Sequence, residues 1–147
     1  MSTPRFRDLD PTECTAILAR HNVGRLAFSR KDRVDIEPIH FVFDDGWLYG
    51  RTQSGTKLDV ITHNRWIAFE VDEIDALFDW RSVVVKGGFY LLRSDGSAQE
   101  VEIYEKGIAI LRRLVPETMT AADPLRDRAI LFRIHIDEMF GRAASTK

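Results

Sequence analysis

One cysteine in 147 residues leaves no partner for an internal disulfide and no basis for a metal site built from several thiolates. No apolar run approaches the roughly 20 residues of a membrane-crossing helix. The opening Met1-Ser2-Thr3-Pro4-Arg5-Phe6-Arg7-Asp8 lacks the apolar core of a secretion signal. Neither sign of charge prevails: the formal net charge is −2, without the basic excess that nucleic acids select. Internal repeats and low-complexity segments are missing, and the four histidines have no spacing that suggests a metal site. What remains is 44% hydrophobic and 30% charged, the balance of one soluble folded domain, expected in the cytoplasm.

The few prolines and glycines act as punctuation. Asp10-Pro11-Thr12-Glu13 opens a helix with a capping Asp, Pro in the first turn and Glu three residues on. Cys14, Ile17, Leu18 and His21 share its face and Asn22 ends it, so Cys14 reads as core. Val23 to Ser29 alternates as a strand, and Arg30-Lys31-Asp32 is a turn. Val34 to Phe43 is a second strand whose Pro38 marks an edge, a bulge or a rim. Asp44-Asp45-Gly46 is a hairpin turn into Trp47 to Thr52. A short helix follows, then strands over Arg65 to Asp72 and Trp80 to Leu92, with a bend at Gly87-Gly88. Ala98 to Val115 is a helix, Pro116 to Arg126 a loop, Ala129 to Ile136 a last strand and Asp137 to Lys147 a polar tail. Hairpin-linked strands argue against a parallel sheet. The expected fold is mainly β: a six-stranded antiparallel split barrel with two to three flanking helices, a barrel or strongly curled sheet being the natural closure because it removes edges. Residues 1–9 and 143–147 are expected to be flexible tails.

The stretch from Gly50 to Asn64 carries the clearest chemistry. It runs from a strand end through Ser54-Gly55-Thr56-Lys57 into a helix. Free N–H groups at a helix start and the helix dipole favour an anion, Lys57 adds a full charge, and Ser54 and Thr56 add hydroxyls. Gly50 and Gly55 have the spacing of a nucleoside triphosphate loop, but Thr56 precedes Lys57 and Leu58 follows it. The magnesium-binding hydroxyl is therefore absent from its place. Two readings stand at this point: a phosphate cradle, or ordinary N-capping with a solvated Lys57.

Motifs along the chain extend the reading. Asn22-Val23-Gly24-Arg25-Leu26-Ala27, Glu37-Pro38-Ile39-His40-Phe41 and Asp45-Gly46-Trp47-Leu48-Tyr49 come first. Gly55-Thr56-Lys57-Leu58, Asn64, Phe69-Glu70-Val71-Asp72 and Trp80-Arg81-Ser82-Val83-Val84-Val85-Lys86-Gly87 follow. In order and spacing the chain resembles the pyridoxamine 5′-phosphate oxidase-like flavin-binding split barrels, most closely the nitroimidazole-resistance (Nim-type) branch. The resemblance implies FMN, or a related flavin such as FAD or a deazaflavin, bound at a homodimer interface. Thr56 and Lys57 match the pair that holds the FMN phosphate, with Arg51 and Thr52 ending the strand beside it. Pro38, Ile39 and His40 match the segment along the isoalloxazine ring. Trp80 and Ser82 fall on a strand that contacts the flavin. Phe140 matches an aromatic that reaches the flavin site of the partner chain, and Arg142 follows it.

Departures from the authentic oxidases narrow the activity. A basic residue at the start of the second strand is replaced by Asp35, and a substrate-phosphate lysine by His40. No longer C-terminal segment with Arg and His ligands follows Arg142. Vitamin B6 oxidation is therefore not expected. The resemblance implies instead a reductase that passes electrons from a donor such as reduced nicotinamide to a small flat acceptor. His40 is the candidate catalytic proton donor, against the alternative of a hydrogen-bonded strand histidine. A deazaflavin-dependent reductase and a non-catalytic flavin sensor or carrier are the alternatives on the same fold.

Overall fold

Alternation of apolar and polar residues builds most of the molecule, whose computed structural model describes residues 3–147. The strands are β1 (Arg5–Leu9), β2 (Val23–Arg30), β3 (Arg33–His40), β4 (Val42–Asp44), β5 (Trp47–Thr52), β6 (Trp66–Ala76), β7 (Asp79–Leu91) and β8 (Ile130–Ser145). The helices are α1 (Pro11–Arg20), α2 (Thr56–His63) and α3 (Ala98–Leu111). All pairings are antiparallel, in the order β3-β2-β6-β7-β8-β5-β4, with β1 added against β8. Among the described residues no helix is long and apolar enough to cross a membrane.

The mainly antiparallel split-barrel fold agrees with the sequence; the count of six strands does not. There are eight strands among the described residues, and β3 and β4 are the two ends of the continuous strand order. These two strands are consecutive in the chain, separated only by Phe41. The sheet therefore curls until its ends approach, and the single expected strand Val34 to Phe43 breaks at the approach. There the Phe41 N–H donates to the Asn22 carbonyl at 2.9 Å instead of continuing a ladder. Pro38 lies in β3, an edge strand, where its missing N–H costs least.

Both chain ends also differ from expectation. Residues 3–9 of the expected tail include β1, which pairs Arg5 with Ser145 and Leu9 with Gly141; Met1 and Ser2 lie outside the described residues. The supposed polar tail after Ile136 is the second half of β8. A bulge shifts the register between Lys86/Glu138 and Gly87/Ile136, leaving Asp137 unpaired. Before it the inward side chains are Phe132, Ile134 and Ile136; after it they are Met139, Gly141 and Ala143.

The barrel interior is filled by Leu26 and Phe28 of β2, Ile67, Phe69 and Val71 of β6, Val83 and Val85 of β7, and Ile17 and Leu18 of α1. Each such side chain contributes about 1.5–3 kcal/mol by leaving water. A smaller cluster, including Tyr49, Ile110, Leu111 and Leu131, fixes α3 on the outside of β5. Glu73 at the end of β6 accepts from Arg20 Nε and Nη2 at 2.6 Å and from Arg81 Nε at 3.0 Å, tying α1 to the sheet. Those donors hold its carboxyl well below the usual carboxylate range.

Glu70 behaves in the opposite way. Partial burial, then the neighbouring Asp72 carboxylate, push its pKa up to about 7 against the pull of Arg25, 3.7 Å away. A carboxyl raised in the folded state keeps a proton that the unfolded chain has released. Glu70 thus costs nothing below the ordinary carboxylate value, and its penalty grows as pH rises to about 7. Glu70→Gln is expected to raise the melting temperature by a few degrees near pH 8 and to leave it nearly unchanged near pH 5, the test being parallel melts of both proteins.

Candidate functional site

The curled edges create the site. The end of β3 and the end of β5 meet the turn into α2, enclosing a polar cavity of about 340 Å³. Glu37, Pro38 and Ile39 line it from β3, Thr52 from β5, and Ser54, Gly55, Thr56 and Lys57 from the turn and helix start. Helix α2 differs from its neighbours in one respect that bears on function. Asp10 and Ser97 close capping boxes on α1 and α3, whereas α2 has Gly55 at its N-cap and no side-chain cap. The capping reading is thus overturned: neither Ser54 nor Thr56 satisfies the helix's leading N–H groups. They face the cavity with Lys57, which is held there by an ion pair with Glu37. Such a donor set fits a phosphate dianion, with Glu37 as its competitor for the lysine.

Arg51 does not offer its charge to that cavity. It lies almost entirely buried, with Nη2 2.6 Å and Nη1 3.2 Å from the Asp123 carboxylate. Its Nε donates to the Arg128 carbonyl at 2.8 Å and Nη2 also to the Leu125 carbonyl at 3.1 Å. Asp123 accepts the Met119 and Leu125 amides as well, at 2.8 and 2.9 Å. The arginine hydrogen bonds, foremost, hold its carboxyl far below the usual range. Arg51 therefore moors the loop between α3 and β8. With His40 it lines a second, apolar cavity of about 150 Å³, walled by Leu111, Leu114, Val115 and Leu125.

The remaining expected site residues lie elsewhere. Trp80 and Ser82 on β7, with Phe140 and Arg142 on β8, occupy the outer face of the sheet, where Ser82 is opposite Arg142 and Val84 opposite Phe140. Register aligns Pro38, Arg25, Glu70, Val84 and Phe140 in one row across five strands. Four strand spacings make a path of about 19 Å around the curled sheet from Pro38 to Phe140, and both side chains stand on its outer face, turned away from one another by the curl. Arg142 is engaged by Asp8 at 2.9 Å. The outer face also exposes Phe6, Ile36, Trp66, Ile74 and Phe140. Sequence reasoning missed Arg128, which lines both cavities and whose side chain has no hydrogen bond or ion pair among the described residues. No spacing or motif marks it.

A curled antiparallel sheet split between two edge strands, with an uncapped helix start at the split, defines a split-barrel protein of the pyridoxamine 5′-phosphate oxidase type. The chain belongs to that family, whose model, described as pyridoxamine 5′-phosphate oxidase, matches residues 10–143. A Rhizobium meliloti (strain 1021) protein, RA0666, is 26% identical over 147 residues, covering 94% of this chain and 95% of its own. Among solved structures, an FAD-binding protein from Mesorhizobium loti superposes with a TM-score of 0.74 at 27% identity, over 95% of this chain and 98% of its own. A Bacteroides thetaiotaomicron protein assigned to 5-nitroimidazole antibiotic resistance gives a TM-score of 0.72 at 12% identity, over 97% of this chain and 89% of its own. That last likeness is one of fold.

Proposed function

We propose that this chain is a flavin-nucleotide oxidoreductase that works as a homodimer, with Lys57, Thr56, Ser54 and the start of α2 holding the phosphate of the flavin mononucleotide moiety. The carrying observation is the uncapped N-terminus of α2 opening, beside Lys57, into a polar cavity of about 340 Å³. The Mesorhizobium loti relative, described as FAD-binding, supports a flavin as the ligand. When bound, the flavin supplies hydride or electron transfer, taking electrons from a donor such as reduced nicotinamide and passing them to a small flat acceptor. The chain's own part is to neutralise the phosphate, to set Pro38 and Ile39 beside the cavity, and to present its outer face to a second copy. Trp80, Ser82, Phe140 and Arg142 of that copy complete the slot. The span across the sheet and the exposed Ile36, Trp66, Ile74 and Phe140 support this assignment.

The test is the visible absorption of the purified protein together with titration of stripped protein with FMN and with FAD. A flavin spectrum, or saturable binding of either nucleotide, is expected. A colourless protein that takes up neither rejects the proposal. Sedimentation at micromolar concentration should give twice the 16.9 kDa chain mass. A monomer that still holds flavin would remove the second copy from the site.

A further inference from the structure

We infer that the apolar cavity beneath the loop between α3 and β8 is a ligand site of its own, for a small carboxylate whose apolar body is the size of one ring. It goes beyond the flavin reading, which can fail without it. Alternation along β5 puts the two cavities on opposite faces of that strand: Thr52 lines the polar one and Arg51 the apolar one. The apolar cavity lies on the outer side, where α3 packs on Tyr49 and Leu131. Leu111 walls it from α3, and Leu114, Val115 and Leu125 roof it from the loop that Arg51 moors through Asp123. At about 150 Å³ it has the volume of an apolar cavity that accepts benzene.

The polar groups of the lining set the charge of the ligand. The Thr118 hydroxyl already donates to the Val115 carbonyl at 2.6 Å. The Arg51 guanidinium is engaged by Asp123 and by the Leu125 and Arg128 carbonyls. His40 and Arg128 differ from both. Each is exposed, and neither side chain has a hydrogen bond or ion pair among the described residues. They stand at the mouth of the cavity, and no Asp or Glu is among the described residues that line it. The site is thus apolar in its depth, with donors at its entrance and no carboxylate to compete for them. An arginine fork takes a carboxylate through two parallel hydrogen bonds, and the imidazole adds a further donor. An ammonium in the same place would meet the guanidinium, and a plain hydrocarbon would leave that fork unused. Fused rings exceed the volume.

The experiment titrates the purified chain with benzoate, toluene and benzylamine, followed by ligand-observed NMR. Benzoate is expected to saturate one site and to bind about 10- to 100-fold more tightly than toluene, the gain from a charge-assisted contact, with benzylamine weaker than either. Arg128→Ala, at an exposed position, should bring benzoate down to the affinity of toluene and leave toluene unchanged. Leu114→Trp, which fills the cavity, should remove both; should it fail to fold, Arg128→Ala alone decides. Lys57→Ala, in the polar cavity, should alter neither. Absence of saturable benzoate binding, or benzoate no tighter than toluene, overturns the inference. So does a benzoate affinity that survives Arg128→Ala, or one that falls in Lys57→Ala, which would place the anion in the polar cavity. None of these titrations reads flavin binding, so their failure and that of the flavin reading are separate results.

Discussion

Lys57→Ala is expected to lower flavin affinity by about 10- to 100-fold, equivalent to about 1.5–3 kcal/mol for a charged hydrogen bond. The loss is moderated by what the lysine already does. In the free protein its ammonium is paired with Glu37, so a phosphate gains that charge only by displacing a carboxylate. Glu37→Gln should therefore act in the opposite direction, tightening binding, because it removes both the competitor and a negative charge from the cavity lining. The uncapped N–H groups of α2 remain in either variant and keep a residual affinity. Fluorescence quenching of added FMN reads both effects. Unchanged affinity in Lys57→Ala would move the phosphate out of this cavity altogether.

Gly87→Ala is expected to cost about 4 kcal/mol or more, the range reserved for a clash that nothing can relieve. A Cβ on Gly87 would lie 1.7 Å from the His135 carbonyl oxygen and 2.9 Å from its carbon. Both are backbone atoms of the bulged segment of β8, so no side chain can swing aside. Either β7 and β8 part locally or the bulge moves, and the second choice turns Met139 and Ala143 away from the core. Since domains of this size are stable by only 5–15 kcal/mol, the variant should unfold at much lower denaturant or fail to accumulate. Gly55→Ala is the matched comparison: a Cβ there meets nothing within 4 Å, so its melting should be near that of the native protein. Equal denaturation midpoints for Gly87→Ala and the native chain would refute the steric account.

Local signals carried the reading where local forces decide. The capping box at Asp10, the hairpin turn before Trp47 and the strand Trp47–Thr52 were legible because each depends on residues a few positions apart. The motif order then pointed to the family, and Thr56 and Lys57 do line one cavity with Pro38, Ile39 and Thr52. What could not be read depends on residues far apart. Arg51 looked free until Asp123 arrived 72 positions later to claim it. The second half of β8 looked polar because the bulge at Asp137 reverses which positions face inward, and alternation is the only signal a strand offers. Trp80 and Ser82 are expected from the resemblance to contact the flavin, and Phe140 and Arg142 to reach the partner chain's site; which chain they serve depends on the register, which places all four across the sheet from the phosphate cavity.

The bulged strand β8 has a consequence for the order of folding. Among the described residues it alone joins β7 to β5, and β1 also depends on it. Until it docks, the β2-β3-β6-β7 meander and the β4-β5 hairpin are separate pieces with exposed edges. The two halves of the molecule are sewn together by its last-made strand, which closes the longest loops in the chain. Such a topology places the slow step late, after local hairpins have formed, and leaves partly built chains dependent on protection from one another.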